Sequence, residues 1–412
     1  MNTNSFPLRI ASGKAFCNRT TERDKLKKLI LTGQHLWLQA HRRHGKTSLI
    51  LQALNDLKTE DQHVLFQRVD LAFTTDRPSA LKKLCQTASK LIIETMSTAK
   101  EINESNKLSI IGQRLQNLFT RYAPSFSLDR GQPSMAFGKE ASLEMMGETL
   151  KKLNELGKEH NIRIVFMIDE FQQLSKVDNK SFDIEGEIRH HLELSTNVTY
   201  VFCGSERNLM QQAMADQKRP LYKHTYRFEI ERISQKCYLK HIKPIWEKQY
   251  NKTFDMSVFE YAMQVTQRHP YYVNYIFSEL WLSDNPPTID NANDAWKKIV
   301  DEELNENKSM ILNLKSNEKK ALKAIAIHPT KQITSNEFIK LSGIPTGSAK
   351  KTINQLVDKD LIYLNDGEYH VVNPKIRLFS STIIAKKVGS VDVFAKHCKI
   401  AEPLCCAITL LY

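Results

Sequence analysis

Lys46 and Thr47 follow Gly45 at the end of the run Ala40-His41-Arg42-Arg43-His44-Gly45-Lys46-Thr47-Ser48. A loop of this kind between a strand and a helix wraps backbone N–H groups around phosphate oxygens, and the following helix presents its positive N-terminal dipole to them. Gly45 permits close backbone approach, Lys46 can reach the outer phosphates of a nucleotide, and Thr47 can place its hydroxyl on Mg²⁺. Arg42, Arg43, His44 and Ser48 are the other candidate lining residues. The usual pattern opens with Gly where Ala40 stands, a difference of one methyl group. A second pair of groups follows: Asp169 and Glu170, at the end of the apolar run NIRIVFMIDEF, 123 residues after Lys46. Two adjacent carboxylates closing a buried strand cost several kcal/mol each unless they are solvated or paired with a cation. A nucleotide-bound Mg²⁺ supplies that cation: Asp169 would share its shell with Thr47, and Glu170 would polarise the water that attacks the γ-phosphate. A chance GKT and an exposed acidic strand end are the alternatives for each motif taken singly.

The elements that must position these groups alternate. HLWLQA (35–40) reads as a short apolar strand before the loop, with a helix after it. HVLFQRVDL (63–71), NIRIVFMIDEF (161–171) and VTYVFCGS (198–205) read as three more strands, separated by helical stretches near 78–97, 107–122 and 141–160. Strands alternating with helices predict a doubly wound parallel α/β layer, with ligands outside the carboxyl ends of its strands. Pro124 to Lys139 lacks helical periodicity and reads as an exposed loop. From about 232 the pattern is helical. Residues 316–380 then give three helices and two short strands joined by Asn365-Asp366-Gly367, a strong hairpin signal; together these spell a winged helix-turn-helix.

Composition narrows the class. Gly and Pro number 14 and 13 among 412 residues, about 3% each against typical usage of roughly 7% and 5%, which argues against a turn-dense all-β chain. The net charge of +13 suits an anionic partner. Seven cysteines form no CxxC pair and no zinc-like spacing with histidine, so they read as reduced thiols. His190 and His191, with Glu185, Glu187 and Glu193, raise a metal cluster as an alternative to a mixed-charge helix. No signal pattern opens the chain and no apolar run approaches the ~20 residues of a spanning helix, so a cytoplasmic, non-membrane protein is expected.

Taken together, Phe16-Cys17-Asn18-Arg19 with Glu22, RRHGKTSLI (42–50), FMIDEFQQL (166–174), FCGSERNLM (202–210), RPLY (219–222) and HPYYVNYI (269–276) resemble the archaeal-type P-loop ATPases, a branch of the AAA+ and signal-transducing (STAND) NTPases also found in bacteria. The resemblance runs over roughly 14–380. It implies an AAA+-like P-loop NTPase parallel sheet with a helical lid and a C-terminal winged helix-turn-helix, using ATP and Mg²⁺. It also implies a first sensor at Ser205, an adenine-side segment carrying Phe16 and Arg19, and a lid element at Pro270, although the family's preceding Gly position is Arg268 here. Arg219 is the candidate charge-stabilising arginine, with Arg207 and Arg227 competing, and a nucleotide-dependent homo-oligomer would follow if a neighbouring copy supplied such a group.

The expected organisation is an ATPase domain at 1–231, a lid at 232–312, a winged helix at 313–380 and a tail at 381–412, too short for another domain. Residues 313–380 carry 11 Lys/Arg against 6 Asp/Glu. With Thr346 as N-cap, Ser348, Lys350, Lys351 and Asn354 form an outward stripe on its third helix, while Ile353, Leu356 and Val357 face the core. Lysines there would contact mainly DNA phosphates. A packing or protein-binding role is the competing reading. The whole therefore reads as a switch ATPase acting on DNA or a partner protein, in a setting such as defence or mobile elements. The alternatives are an ATP-liganded DNA-binding regulator with negligible turnover and an origin-recognition-like loader.

Overall fold

Five strands assemble into one parallel sheet in the order β2-β5-β6-β1-β7. They are β1 (Leu36–Gln39), β2 (Val64–Asp70), β5 (Arg163–Asp169), β6 (Val198–Phe202) and β7 (Tyr226–Glu229). The computed structural model describes residues 5–376 apart from 18, 62, 100–123, 130–131, 138–140, 179–180, 303–310 and 366. The expected helix at 107–122 and the tail at 381–412 lie outside these residues.

Side chains along a strand point alternately to the two faces of the sheet, and both faces here are covered, so the central strands are apolar throughout. Leu36, Leu38, Val165, Met167 and Val201 pack with α1 (Thr20–Leu31) and α2 (Lys46–Glu60). Trp37, Ile164, Phe166, Ile168, Tyr200 and Phe202 face the opposite layer. That layer holds α3 (Arg77–Thr98), α4 (Leu143–Glu159), α5 (Asp183–Leu194) and α6 (Arg207–Ala215). Asp76 and Ser142 cap α3 and α4 by accepting from Ser79 N and Met145 N, each satisfying one otherwise orphaned amide of the first turn.

Two features differ from the sequence reading. The segment read as an exposed loop contains β3 (Pro124–Asp129) and β4 (Gln132–Phe137), an antiparallel pair with Phe126 opposite Met135. Its Ser-Phe-Ser-Leu alternation carries a strand period that the absence of a helical one concealed. The edge strand β7 was also not expected; Tyr226-Arg227-Phe228-Glu229 is four residues long and becomes a strand by pairing in parallel with β1.

The chain divides into two compact units, Met1–Ile245 and Trp246–Tyr412, and the division falls within α7 (Gln235–Tyr250). In the second unit, α8 (Met256–Thr266), α9 (Pro270–Leu280) and α10 (Ile289–Glu302) precede α11 (Ser316–Ile327), α12 (Asn336–Ser342), α13 (Thr346–Asp358) and the hairpin β8 (Ile362–Asn365) and β9 (Glu368–Val371). Three helices and a hairpin around one apolar cluster, with Ile353 and Leu356 at its centre, make a winged helix. Pro345, not Thr346, is the N-cap of α13, and Thr346 is its first helical residue. The preset backbone of proline suits the turn from Ile344 into the helix. Lys375, wholly buried, donates to the Ile299 carbonyl at 2.8 Å and lies over the Tyr272 ring, tying the segment after the wing to α9 and α10. Among the described residues no helix is long and apolar enough to cross a membrane.

Candidate active site

The parallel register brings the carboxyl ends of β1, β5 and β6 together, and the chemistry sits there. After β1 the chain turns through residues 40–45 into α2, with Arg43 and Gly45 both at positive φ (62° and 83°). A Cβ at Gly45 would meet nothing within 4 Å, so the backbone conformation, not crowding, demands glycine, and the space beside the loop is open. Lys46 is 8% exposed, and its ammonium donates to the carbonyls of Ala40 and His41 at 2.9 Å each, bracing the loop around the first turn of the helix.

Thr47 donates from its hydroxyl to Asp169 Oδ2 at 3.2 Å, across 122 residues of sequence. Asp169 also accepts from the Glu170 backbone N–H at Oδ1 (3.0 Å). Burial raises its carboxyl above the ordinary range, against the opposing pull of the Arg68 guanidinium. Glu170 takes a left-handed backbone (φ 53°), which turns the chain out of β5. Its Oε2 accepts from Ser205 Oγ at 2.7 Å and from Gln172 Nε2 at 2.6 Å. Ser205 stands just beyond β6, and a Cβ at the preceding Gly204 would collide with the side chains of Gln172 and Met210, so the glycine leaves those side chains their room. A hydroxyl and a carboxylate side by side are hard oxygen donors of the type Mg²⁺ prefers, and an open space flanked by a lysine and a helix N-terminus suits a phosphate. The residues present therefore fit both groups.

The remaining candidates divide by place. Arg42 and Arg43 are exposed on the loop, whereas His44 is buried with its ring against His41. Ser48 Oγ accepts from the Ala11 N–H at 3.0 Å and so anchors the leading segment onto α2. Phe16 packs against the α1–α2 core beneath the Arg23 guanidinium. Arg19 is buried and works as a clamp, pairing with Glu22 and donating to the carbonyls of His44 (3.3 Å) and Glu231 (2.8 Å). Arg219 is engaged away from the carboxylates: its guanidinium forms a buried pair with Glu185, donates to Ser175 Oγ at 2.8 Å and stacks on Phe182. Pro270 opens α9 in the second unit. On α13, Lys350, Lys351 and Asn354 are exposed, and Ser348 Oγ donates to the Pro345 carbonyl. Among the described residues no group of three or more His, Cys, Asp or Glu could hold a metal ion; His191 Nε2 instead pairs with Glu187 at 3.0 Å.

Arg68 was missed in the sequence. It lies on β2, beside β5, with Nε 2.9 Å from Asp169 Oδ2 and a terminal nitrogen 2.6 Å from Asp70. No motif marks it, because its partner is supplied by strand pairing 101 residues away.

Comparison with solved structures bears on the fold. A Walker-type ATPase of Pyrococcus abyssi superposes with a TM-score of 0.64 at 18% identity, over 92% of this chain and 99% of that one. The chain has the fold of the Walker-type P-loop ATPases. The ORC2 protein of Aeropyrum pernix in its ADP form shares the fold more loosely, with a TM-score of 0.50 at 11% identity over 94% and 98% of the two chains. A family model described as "Probable winged helix domain" matches residues 306–381, in accord with the three helices and hairpin that follow the P-loop ATPase fold. No curated protein matches the sequence.

Proposed function

We propose that this chain is a Mg²⁺-dependent ATP-binding and ATP-hydrolysing switch whose nucleotide state governs its hold on DNA or a protein partner. The observation that carries the reading is the meeting of Lys46, Thr47, Asp169, Glu170 and Ser205 at adjoining strand ends, with an open space beside Gly45.

In this reading the backbone amides at the start of α2 receive the β- and γ-phosphates of ATP, and Lys46 exchanges its two loop carbonyls for phosphate oxygens. Arg42 and Arg43 form the outer wall of the loop, and His44 packs its buried ring against His41. Ser48 and Arg19 hold its supports, and Phe16 lines the base side. Mg²⁺, held by Thr47 and Asp169, would neutralise charge on the phosphates. Glu170 orients the attacking water and accepts its proton at the carboxylate, which Ser205 and Gln172 hold by Oε2 before substrate arrives. Arg219 contributes by fixing α5 against its neighbours. The second unit supplies the readout: Ser348, Lys350, Lys351 and Asn354 on α13 present a basic and polar stripe for the phosphates of duplex DNA.

Phosphate release by the full chain, with and without duplex DNA, tests this reading. Glu170→Gln should retain ATP binding and lose turnover about 100-fold or more, while DNA should change wild-type turnover. Absence of turnover in the wild type under both conditions would reduce ATP to a ligand, and DNA retention that ignores salt would shift the partner to a protein.

A further inference from the structure

Arg68 and Asp70 lie two residues apart on β2 and so share one face of that strand. The β2–β5 register sets Asp70 beside Asp169. With Glu170 next in sequence, three carboxylates gather at adjoining strand ends, and Arg68 pairs with two of them, Asp70 and Asp169. Its Nε is 2.9 Å and its Nη2 2.8 Å from Asp169 Oδ2, and the same Nη2 is 2.6 Å from Asp70 Oδ2. Asp169 Oδ2 also accepts from Thr47, and Oδ1 accepts from the Glu170 N–H. The oxygen that Asp169 and Thr47 would turn toward a cation therefore already holds a guanidinium.

We propose that Arg68 is a built-in counter-cation of the nucleotide site, one that occupies Asp169 Oδ2 while no metal is bound and yields it to Mg²⁺ when nucleotide binds, keeping its grip on Asp70. The inference rests on the nucleotide reading above. A buried carboxylate without a partner is costly, so the guanidinium stabilises Asp169 and fixes its carboxylate in advance. The same contact competes with the metal. Asp70 gives Arg68 a second seat: it is exposed, and its Oδ1 is held by the Ala72 N–H at 2.9 Å, so it stays in place when Asp169 is released. Arg68 is thus a positioning residue that sets how much Mg²⁺ the site requires.

The test is calorimetric titration of the EDTA-treated full chain with ADP over a series of Mg²⁺ concentrations, a readout that involves no turnover. Arg68→Met should lower the Mg²⁺ concentration for half-maximal ADP binding roughly tenfold, the scale of one charge-assisted hydrogen bond, and should lower the unfolding temperature without Mg²⁺. Arg68→Lys should also lower the midpoint, because an ammonium lacks the rigid planar fork by which the guanidinium holds both carboxylates in one fixed geometry. Asp70→Asn keeps the acceptor for Ala72 but weakens the second seat, and should raise the midpoint. General structural damage would not move these variants in opposite directions. An unchanged midpoint in both Arg68 variants overturns the inference. So does a midpoint that falls in Arg68→Met while Arg68→Lys matches wild type, since long-range charge alone then accounts for the effect. Should Arg68→Met not fold, Arg68→Lys and Asp70→Asn decide. ADP binding with a midpoint insensitive to Arg68 defeats this inference alone; no ADP binding by the wild type at any Mg²⁺ concentration defeats the nucleotide reading and the inference with it.

Discussion

His35, one residue before β1, makes the stability of the ATPase-fold unit depend on pH. Its Nε2 lies 3.1 Å from the Leu192 carbonyl at the end of α5, and its Nδ1 accepts from the Tyr200 N–H of β6 at 3.1 Å. Both contacts suit the neutral ring with its proton on Nε2. Burial is the main reason its pKa drops from the ordinary 6.5 to about 4; His224 adds to the drop and the Leu192 carbonyl opposes it. Because the folded value lies below the unfolded one, the unfolded chain takes up the proton first. The contribution is fully present above about pH 6.5 and is lost as pH falls toward 4. At 1.36 kcal/mol per pH unit the whole difference is worth about 3 kcal/mol, and about 2 kcal/mol of it is lost between pH 7 and pH 5. The assay is urea unfolding of wild type and His35→Gln at half-unit intervals from pH 7.5 to 4.5, followed by near-ultraviolet signals that include Trp37 on β1. Subtracting the two profiles cancels Glu94, Asp169 and Glu185, whose carboxyls burial raises in both proteins. The wild-type advantage should shrink by about 2 kcal/mol from pH 7 to pH 5. A flat difference over that range, or one that grows, would refute the reasoning.

Arg219→Met should destabilise the protein by about 3–5 kcal/mol, since it leaves Glu185 buried beside Phe182 without its guanidinium. The double variant with Glu185→Leu should recover most of that loss in urea unfolding. Wild-type stability in Arg219→Met, together with lost phosphate release, would instead make Arg219 part of the chemistry. Lys350→Ala with Lys351→Ala should weaken retention on duplex DNA uniformly across sequences and make the slope of log affinity against log salt shallower by about two. Fluorescence anisotropy at several salt concentrations checks both effects, and unchanged affinity would remove α13 from the interface.

The core of the site was legible because each half of it is local. An apolar run leading into Gly45-Lys46-Thr47, and another ending in Asp169-Glu170, state strand, loop and charge within a dozen residues. Ser205 came only through the family resemblance, since a serine after a buried strand is equally an ordinary turn residue. The winged helix was legible for a similar reason, through helical periodicity on α13 and the hairpin signal at Asn365 and Gly367. What escaped was set by pairing between distant segments. β7 needs β1 beside it, and Arg68 reads as an ordinary exposed strand residue until the register places it against Asp169. Arg219 shows the converse: arginine at that position is compatible with transition-state chemistry, and only the fold reveals Glu185 beneath it. Glu185 itself read as part of a mixed-charge helical surface, yet it is buried because α5 turns that side toward the sheet.

The central claim is that Lys46 and its loop hold a nucleotide. Calorimetry of ATP with Mg²⁺ against the wild type and Lys46→Ala tests it most directly, with unfolding temperature measured alongside to show that the variant is folded. Saturable binding by the wild type and its loss in folded Lys46→Ala is the predicted result; equal affinity in the two proteins would contradict the account.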